Sequence, residues 1–427
     1  MKKHFLGLIV FGLLLAGTSE GGAQTRLGGY LKFYSAANTV SPFKISKIGT
    51  RLQFNISKTF GTRGELFSSF DFDADDARFF TGGFKTRGSE LEIYPVEAYV
   101  NLYFPFVDLR LGKQFIFWGK TDWINPTDNI NPWDYKNISS EIEDYRLPVT
   151  AVKTSWYLGP VTLEADWIPI FIPDRIPLQT GLLQKGNPAR HIPVVFMNSP
   201  AYPTPTLGHS QAAFRLMHSI EGIDYSLSYY SGYDHKFNII SKLTSPDSIS
   251  LTPAYKPVRI IGGALERVFG RWNLKGEAAY FRTADPNGTH PEITNPHVQY
   301  VLGSDLSVSD HLLLNLQWIQ NIRTKFNRAL EEKAAAQNPL EQEIPRRVTS
   351  SVSGVIRWSP MDYVTSQFVG VLNLRDKDSF LLGFVHYELA DAIQLTIGGL
   401  FFGGPQNSPF GKMTGEDKVF LELKFSY

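Results

Sequence analysis

Polar and apolar residues take turns along the final ten positions of this chain. Val419, Leu421, Leu423, Phe425 and Tyr427 share one face, and Lys418, Glu422, Lys424 and Ser426 share the other. A period of two is the pattern of a strand with one apolar and one wet side. The same pattern recurs upstream. Ile48, Thr50, Leu52, Phe54 and Ile56 alternate with Gly49, Arg51, Gln53 and Asn55, and Val96, Ala98, Val100 and Leu102 with Glu97, Tyr99, Asn101 and Tyr103. Trp272, Leu274, Gly276, Ala278 and Tyr280 alternate with Lys275, Glu277 and Ala279, and Leu312, Leu314, Leu316 and Trp318 with Asn315 and Gln317. Between Tyr363 and Leu372 both faces are mixed, and the pattern does not separate an apolar side.

The links between these segments also alternate. Tight ones fall near Phe60-Gly61, Pro105-Phe106, Gly159-Pro160, Glu221-Gly222, Gly270, Ser309, Ser359-Pro360 and Ala390-Asp391. Long ones fall near 37–46, 74–90, 118–148, 169–208, 232–256, 283–296, 322–346, 374–378 and 403–416. One face carrying turns and another carrying loops is what a membrane imposes on a transmembrane barrel; a sandwich or propeller has no reason to sort its links this way. The count predicts an all-β, closed antiparallel transmembrane barrel of about 18 strands, with 16 as the alternative, having short periplasmic turns and long extracellular loops. An open sheet edge in hydrocarbon leaves N–H and C=O groups unsatisfied, so the sheet must close, and a barrel this wide encloses water unless loops plug it. Residues 324–336 read as a short surface helix.

Composition narrows the class further. The chain has 42 Lys+Arg against 41 Asp+Glu, so there is no broad basic footprint and no nucleic acid partner is expected. It has no cysteine, which removes disulfides, thiolate zinc sites and a cysteine nucleophile. Nine scattered histidines offer no His-x-x-x-His pair, so neither a metal nor any other cofactor is expected. A mean hydropathy of −0.15 does not argue against a membrane barrel, because only alternate strand residues meet lipid. Met1, Lys2 and Lys3, the apolar run Phe5 to Ala16 and the small residues Gly21-Gly22-Ala23 have the three-part plan of a signal peptide. The expected organisation is therefore a signal peptide at 1–23 and one barrel at 24–427.

The densest unusual stretch runs from Leu109 to Tyr135. It contains Leu109-Arg-Leu-Gly-Lys-Gln114, Trp118-Gly119 and Asp122, then two Asn-Pro turns at Asn125-Pro126 and Asn131-Pro132 followed by Asp128 and Asp134. This stretch resembles porin-like bacterial outer-membrane barrels of a domain-of-unknown-function family, whose pattern reads L-R-L-G-K-Q…W-G-x-x-D…N-P-x-D-x-x-N-P-x-D. Glu97-Ala-Tyr99, Asp144-Tyr-Arg-Leu-Pro148, the 167–177 stretch and Gly276-Glu-Ala-Ala-Tyr280 are similar to further signatures of that family. Trp123 and Trp133 stand where the usual pattern has a small residue and an Arg. The resemblance implies a channel-like barrel in the bacterial outer membrane, with unassigned substrates.

The 118–148 link is the third long one by count, and in general porins, which this architecture resembles, the third loop folds inward and narrows the pore. That resemblance implies constriction groups at Lys120, Asp122, Asp128, Asp134 and Arg146, which would act as a charge filter. The alternative is that the Asn-Pro-x-Asp repeats only build turns, with Asx side chains satisfying local backbone. Arg51, Glu97, Arg110, Gln114, Lys275 and Glu277 lie opposite apolar sets and are expected on the pore wall. Tyr99 and Tyr103 would add an aromatic track there for sugars or apolar solutes. Phe425 and Tyr427 resemble the assembly signal read by barrel insertion machinery.

Other motifs are weak. Asp71-Phe-Asp-Ala-Asp-Asp76 lacks the Gly and the distant Glu of a calcium loop, and reads as an acidic strand end. Gly208-His-Ser-Gln-Ala212 departs from a nucleophile elbow at its last position and precedes a strand-like run, where the elbow needs a helix. The Asn137-Ile-Ser sequon is a common chance match. The expected function is passive passage of small solutes through an outer-membrane porin-like channel, with membrane lipid, solute and the assembly machinery as partners. A barrel enzyme (a lipid or ester hydrolase) and a loop-plugged adhesion barrel are the rival readings.

Overall fold

A computed structural model describes residues 24–40, 43–75, 90–122, 124–135, 141–176, 194–245, 248–337 and 346–427. The expected signal peptide, Asp76, Trp123 and Asn137 lie outside the described residues. The first strands are β1 (Thr25–Asn38), β2 (Lys44–Phe60), β3 (Gly64–Asp75), β4 (Glu90–Tyr103), β5 (Val107–Gln114), β6 (Val149–Leu158) and β7 (Val161–Ile168). Then come β8 (Val194–Met197), β9 (Gln211–Ile220), β10 (Ile223–Tyr233), β11 (Asn238–Ser245), β12 (Ser248–Ala254), β13 (Pro257–Phe269), β14 (Trp272–Arg282) and β15 (His297–Ser309). The chain continues through β16 (Leu312–Arg323), helix α1 (Arg328–Gln337), β17 (Val348–Met361), β18 (Val364–Asn373), β19 (Asp378–Ala390), β20 (Ile393–Gly403) and β21 (Lys418–Ser426).

All of these strands except β8, β11 and β12 form one 18-stranded antiparallel sheet. It closes where β1 meets β21, in a ladder from Tyr30 opposite Ser426 to Asn38 opposite Lys418. The Tyr427 N–H extends that seam by donating to Gly29 O at 3.1 Å. Closure leaves no unpaired edge. The strand count and the alternation of short and long links agree with the sequence expectation. Tight links run at 61–63, 104–106, 159–160, 221–222, 270–271, 310–311, 362–363 and 391–392. Two details differ. The turn expected at Ser359-Pro360 comes later, because β17 continues to Met361 with a shifted register opposite Val364. The 232–256 link, expected as loop, carries β11 and β12, which pair with each other, and β12 pairs in turn with β8 to give a separate three-stranded sheet.

The two faces of the cylinder differ as the pleat requires. Leu227, Ile261, Leu302, Leu316 and Ile397 point outward and are each at least 55% exposed. Their strand neighbours Ser226, Ile260, Val301, Gln317 and Thr396 are buried. The inner wall also holds the buried Lys32, Arg51, Asp71, Asn101, Glu164, Asp166, Glu277 and Glu422. Eighteen strands at ~4.8 Å spacing and ~40° tilt make a wall roughly 35 Å across, far wider than side chains can fill.

Two inward areas break the polar rule. One lies over β6, β7, β9, β10, β13 and β14, where Val149, Ala151, Ile168, Ala213, Tyr230, Val258, Ile260 and Ala279 pack against Ile116, Trp118 and Ile130 of the link after β5. The other lies over β17–β21 and includes Val369, with Val371 opposite its Phe380, which explains the mixed pattern read between Tyr363 and Leu372. There both faces are apolar.

Candidate functional site

The link from Phe115 to Pro148 starts at the wall and turns into the lumen. Its first anchor is local: the Phe115 N–H donates to Glu97 Oε1 at 2.9 Å. Ile116 and Trp118 then seat against the apolar inner wall, and the Trp118 indole N–H donates to Glu164 of β7 at 2.6 Å. Lys153 and Arg215, from β6 and β9, flank the same carboxylate at 2.8 Å and 3.1 Å.

Gly119 lets the chain turn toward β14. Its φ is +96°, and a Cβ there would lie 2.8 Å from Glu277 Oε1. Only glycine meets both demands at no steric cost. Glu277 then gathers the next turn. Its Oε1 accepts the Lys120 N–H, the Thr121 N–H at 2.6 Å and the Thr121 hydroxyl at 2.9 Å. Its Oε2 accepts the Thr127 hydroxyl at 2.8 Å and the Thr127 N–H at 3.3 Å. Five donors on one charged acceptor clamp this turn to β14. Asp122 reaches beyond it to Lys275 at 3.0 Å, Asn315 at 3.0 Å and Gln317 at 3.2 Å, while Lys120 pairs with Glu266 at 2.9 Å. This near limb is therefore fixed to β13, β14 and β16.

The middle of the loop holds itself. Arg146 pairs with the buried Asp128, donates to Asn131 O at 2.8 Å and stacks over Trp133 at 3.7 Å. Burial pushes the Asp128 carboxyl up to about 6, against the opposing pull of Arg146. The same burial lowers the Arg146 guanidinium. Asp134 is buried and meets Arg175 at 3.1 Å, and the Trp133 N–H donates to Asp174 at 2.7 Å. The neighbouring loops thus brace this segment, with His235 contacting both Ile172 O and Asn129 O.

A far limb meets the opposite wall. Glu141 pairs with Lys32 at 3.3 Å and Lys424 at 2.5 Å, and Asp144 with Lys32 at 3.4 Å and Arg51 at 2.6 Å. Burial alone would raise the Glu141 carboxyl, but Lys32 and Lys424 outweigh it and hold it below the usual carboxylate range. Strands β1, β2 and β21 lie across the cylinder from β13, β14 and β16 in the order of the sheet. One loop is thereby tied to both sides of the lumen, by carboxylates at each end.

The expected constriction residues fall in different surroundings. The Asp122 side chain is 43% exposed and that of Lys120 33%, whereas Asp128, Asp134 and Arg146 are buried inside the loop. The expected wall residues all lie on the inward face. Glu97, Lys275 and Glu277 hold the loop, and Arg51 holds Asp144. Gln114 is buried and donates to Ala151 O at 3.1 Å, while Arg110 donates to Asn101 at 2.7 Å and stacks on Tyr99 at 4.2 Å. Tyr103 donates to Glu65 at 3.1 Å. Phe425 and Tyr427 are outward and about half exposed, and the Tyr427 hydroxyl donates to Gln53 O at 3.0 Å.

Lys32, Glu141, Glu164, Thr121 and Thr127 were not singled out as site residues from the sequence, and Lys424 and Asp144 were named only on a polar strand face and in a family signature. Alternation also places Lys32 on a polar face, so it was findable; the remainder needed the loop's path. At the weak motif Gly208-His-Ser-Gln-Ala212, Ser210 donates its hydroxyl to Leu207 O at 2.8 Å, and strand β9 follows at once.

No curated protein matches this chain. Among solved structures it is similar to OmpTdeltaL8, a loop L8 deletion mutant of the Vibrio cholerae outer membrane protein OmpT, at 10% identity and a TM-score of 0.43, over 95% of this chain and 100% of that one. It is also similar to a triple mutant of Rhodopseudomonas blastica porin, at 12% identity and a TM-score of 0.40, over 95% and 100%. The family described as "Protein of unknown function (DUF1302)" matches residues 83–356, most of the chain, and the protein belongs to that family.

Proposed function

We propose that the protein is a porin-like channel of the bacterial outer membrane, through which small solutes diffuse passively. One observation carries this reading: a polar lumen is narrowed, and not lined merely by wall residues, because the loop 115–148 is tied to opposite walls by Glu277 at one end and Glu141 and Asp144 at the other. A fixed loop across a wide barrel leaves a passage whose edges carry set charges, which is how wet pores select. The apolar outer face supports a bilayer setting, since an exposed band of Leu and Ile is stable only against lipid. Phe425 and Tyr427, at the closing seam, are the proposed signal for the barrel assembly machinery. The reading assigns no catalytic step, and the Ser210 hydroxyl is engaged by its own turn.

Single-channel recording in planar bilayers tests the reading. Stable ohmic steps are expected from purified, refolded protein that also shows a heat-dependent shift in electrophoretic mobility. Heat-modifiable protein that inserts without any conductance would favour the plugged barrel, and lipid or ester hydrolysis by the same sample would favour the enzyme.

A further inference from the structure

The two apolar areas inside the barrel have different fates. The first is covered by Ile116, Trp118 and Ile130, so its composition is explained by the loop that packs on it. The second, on β17–β21, consists of Val355, Val369, Leu382, Phe384 and Leu400 with Phe380, Phe402 and Phe420 laid over them as half-buried rings. Among the described residues, the 115–148 loop contributes no member to this second cluster. The surrounding inward positions return to the polar rule at Ser353, His386, Thr396 and Glu422.

The area has a direction. Phe380, Leu382 and Phe384 follow one another on the inner face of β19, and Phe402 and Leu400 stand beside them on β20. At ~3.4 Å per residue this stripe runs roughly 13 Å along the strands, from the end of β19 that joins the long links toward mid-barrel. At its outer end Phe410, from the link after β20, meets Phe380 at 5.8 Å and Phe402 at 6.3 Å, and those two rings lie 5.5 Å apart. The position of Phe410 is set by its N–H, which donates at 2.6 Å to Asp378, a fully buried side chain.

We propose that this inner stripe is a binding track for uncharged solutes that carry an aromatic or other apolar group. The proposal rests on the channel reading and names a substrate class for it. Neither lipid nor a second copy of the chain reaches the inside of a closed cylinder, so the partner must enter through the lumen. A wet pore gains nothing from a row of phenylalanines unless a solute replaces the water on them. A ring sliding along the stripe exchanges one aromatic contact for the next and never faces a full desolvation step.

Phenyl β-glucoside and methyl β-glucoside form a suitable probe pair, because they differ only in the ring. Current blockades in planar bilayers should last about tenfold longer for the phenyl compound, given two- to tenfold per aromatic contact. The variant carrying Phe380→Ser, Phe402→Ser and Phe410→Ser should lose that difference, and Phe→Leu at the same positions should keep part of it. If the triple variant does not assemble, Phe410→Ser alone leaves the wall intact and should shorten the phenyl blockades severalfold. Normal conductance with equal blockades by both glucosides in the wild type overturns the track and leaves the channel standing. Absence of conductance in heat-modifiable protein overturns the channel reading and the track with it.

Discussion

Glu277 shows how one side chain decides where a loop goes. From the sequence it is only a polar residue opposite Ala278 and Gly276, yet in the folded chain it accepts from three backbone N–H groups and two hydroxyls of the loop. Hydrogen bonds to a charged acceptor contribute about 1.5–3 kcal/mol each, and a buried donor left without a partner costs about the same. Glu277→Gln keeps the volume but replaces one acceptor oxygen by an N–H₂, which faces donors. The near limb should therefore loosen by on the order of 2 kcal/mol while the barrel stays closed. Amide hydrogen exchange at Lys120, Thr121 and Thr127 should rise by more than tenfold, with heat-modifiability unchanged. Unchanged protection would mean that the clamp is redundant with Asp122 and Trp118.

At the scale of single elements, the far limb and the middle of the loop respond to pH in opposite senses. Glu141 has a folded value below its unfolded one, so its contribution is present above the ordinary carboxylate range and is lost as pH falls through the lowered value. Asp128 has a raised value, so its contribution is complete in acid and is lost as pH rises through about 6. Acid should thus free Glu141 from Lys32 and Lys424 while the segment around Asp128 stays docked. Limited proteolysis with an acid-tolerant protease should cut between Tyr135 and Leu147 once the pH falls below the ordinary carboxylate range, about 4, and before it cuts near Asp128. Simultaneous cutting at both places would refute the two-limb description.

Strand faces offer a sharper contrast at the same scale. Leu316 and Gln317 are consecutive on β16, one 62% and the other 1% exposed. A lipid-facing Arg costs ~2–4 kcal/mol near the midplane, so Leu316→Arg should reduce assembled barrel strongly. Gln317→Arg places its charge beside Asp122, which Gln317 already contacts at 3.2 Å, and should assemble. Equal yields of heat-modifiable protein from both would show that the faces are misassigned.

Across the whole molecule, what was legible in the sequence follows from the range of each interaction. Strand number and link lengths were legible because a turn such as Glu221-Gly222 is specified locally: Glu221 and Gly222 both adopt positive φ there. The inward faces of β2 and β14 were legible because a charge, Arg51 or Lys275, marks each of them, and that of β16 because Asn315 and Gln317 interrupt its leucines. The stripe on β17–β21 was not, since Val369 and Leu382 inside match Phe368 and Leu381 outside in polarity. The route of the loop was likewise hidden, because Glu141 finds Lys424 across 283 positions of sequence. Selecting Asp122, Asp128 and Asp134 together was a local reading of three similar turns, and burial separates them.

That separation turns a joint expectation into a specific one. Asp128 and Asp134 are both buried and each meets a guanidinium, Arg146 within the loop and the half-exposed Arg175 beside it, so on the proposed channel reading their charges are compensated and hidden from passing ions. Asp122 is the partly exposed carboxylate of the three, facing the lumen with Lys275, Asn315 and Gln317 around it. A fixed charge at the edge of a low-dielectric constriction weighs heavily on ion choice, because field lines concentrate there. Asp122→Asn retains the shape and removes one negative charge, leaving Lys120 and Lys275 to set the local sign. The reversal potential across a salt gradient should move toward anion preference, by an amount that shrinks as salt screens the site. Asp128→Asn and Asp134→Asn should leave the reversal potential nearly where it was and instead increase current noise, because they weaken the contacts that Arg146 and Arg175 make to hold the loop. A large reversal-potential shift from Asp128→Asn with none from Asp122→Asn would place the ion path through the loop's interior, and not along the edge that Asp122 marks.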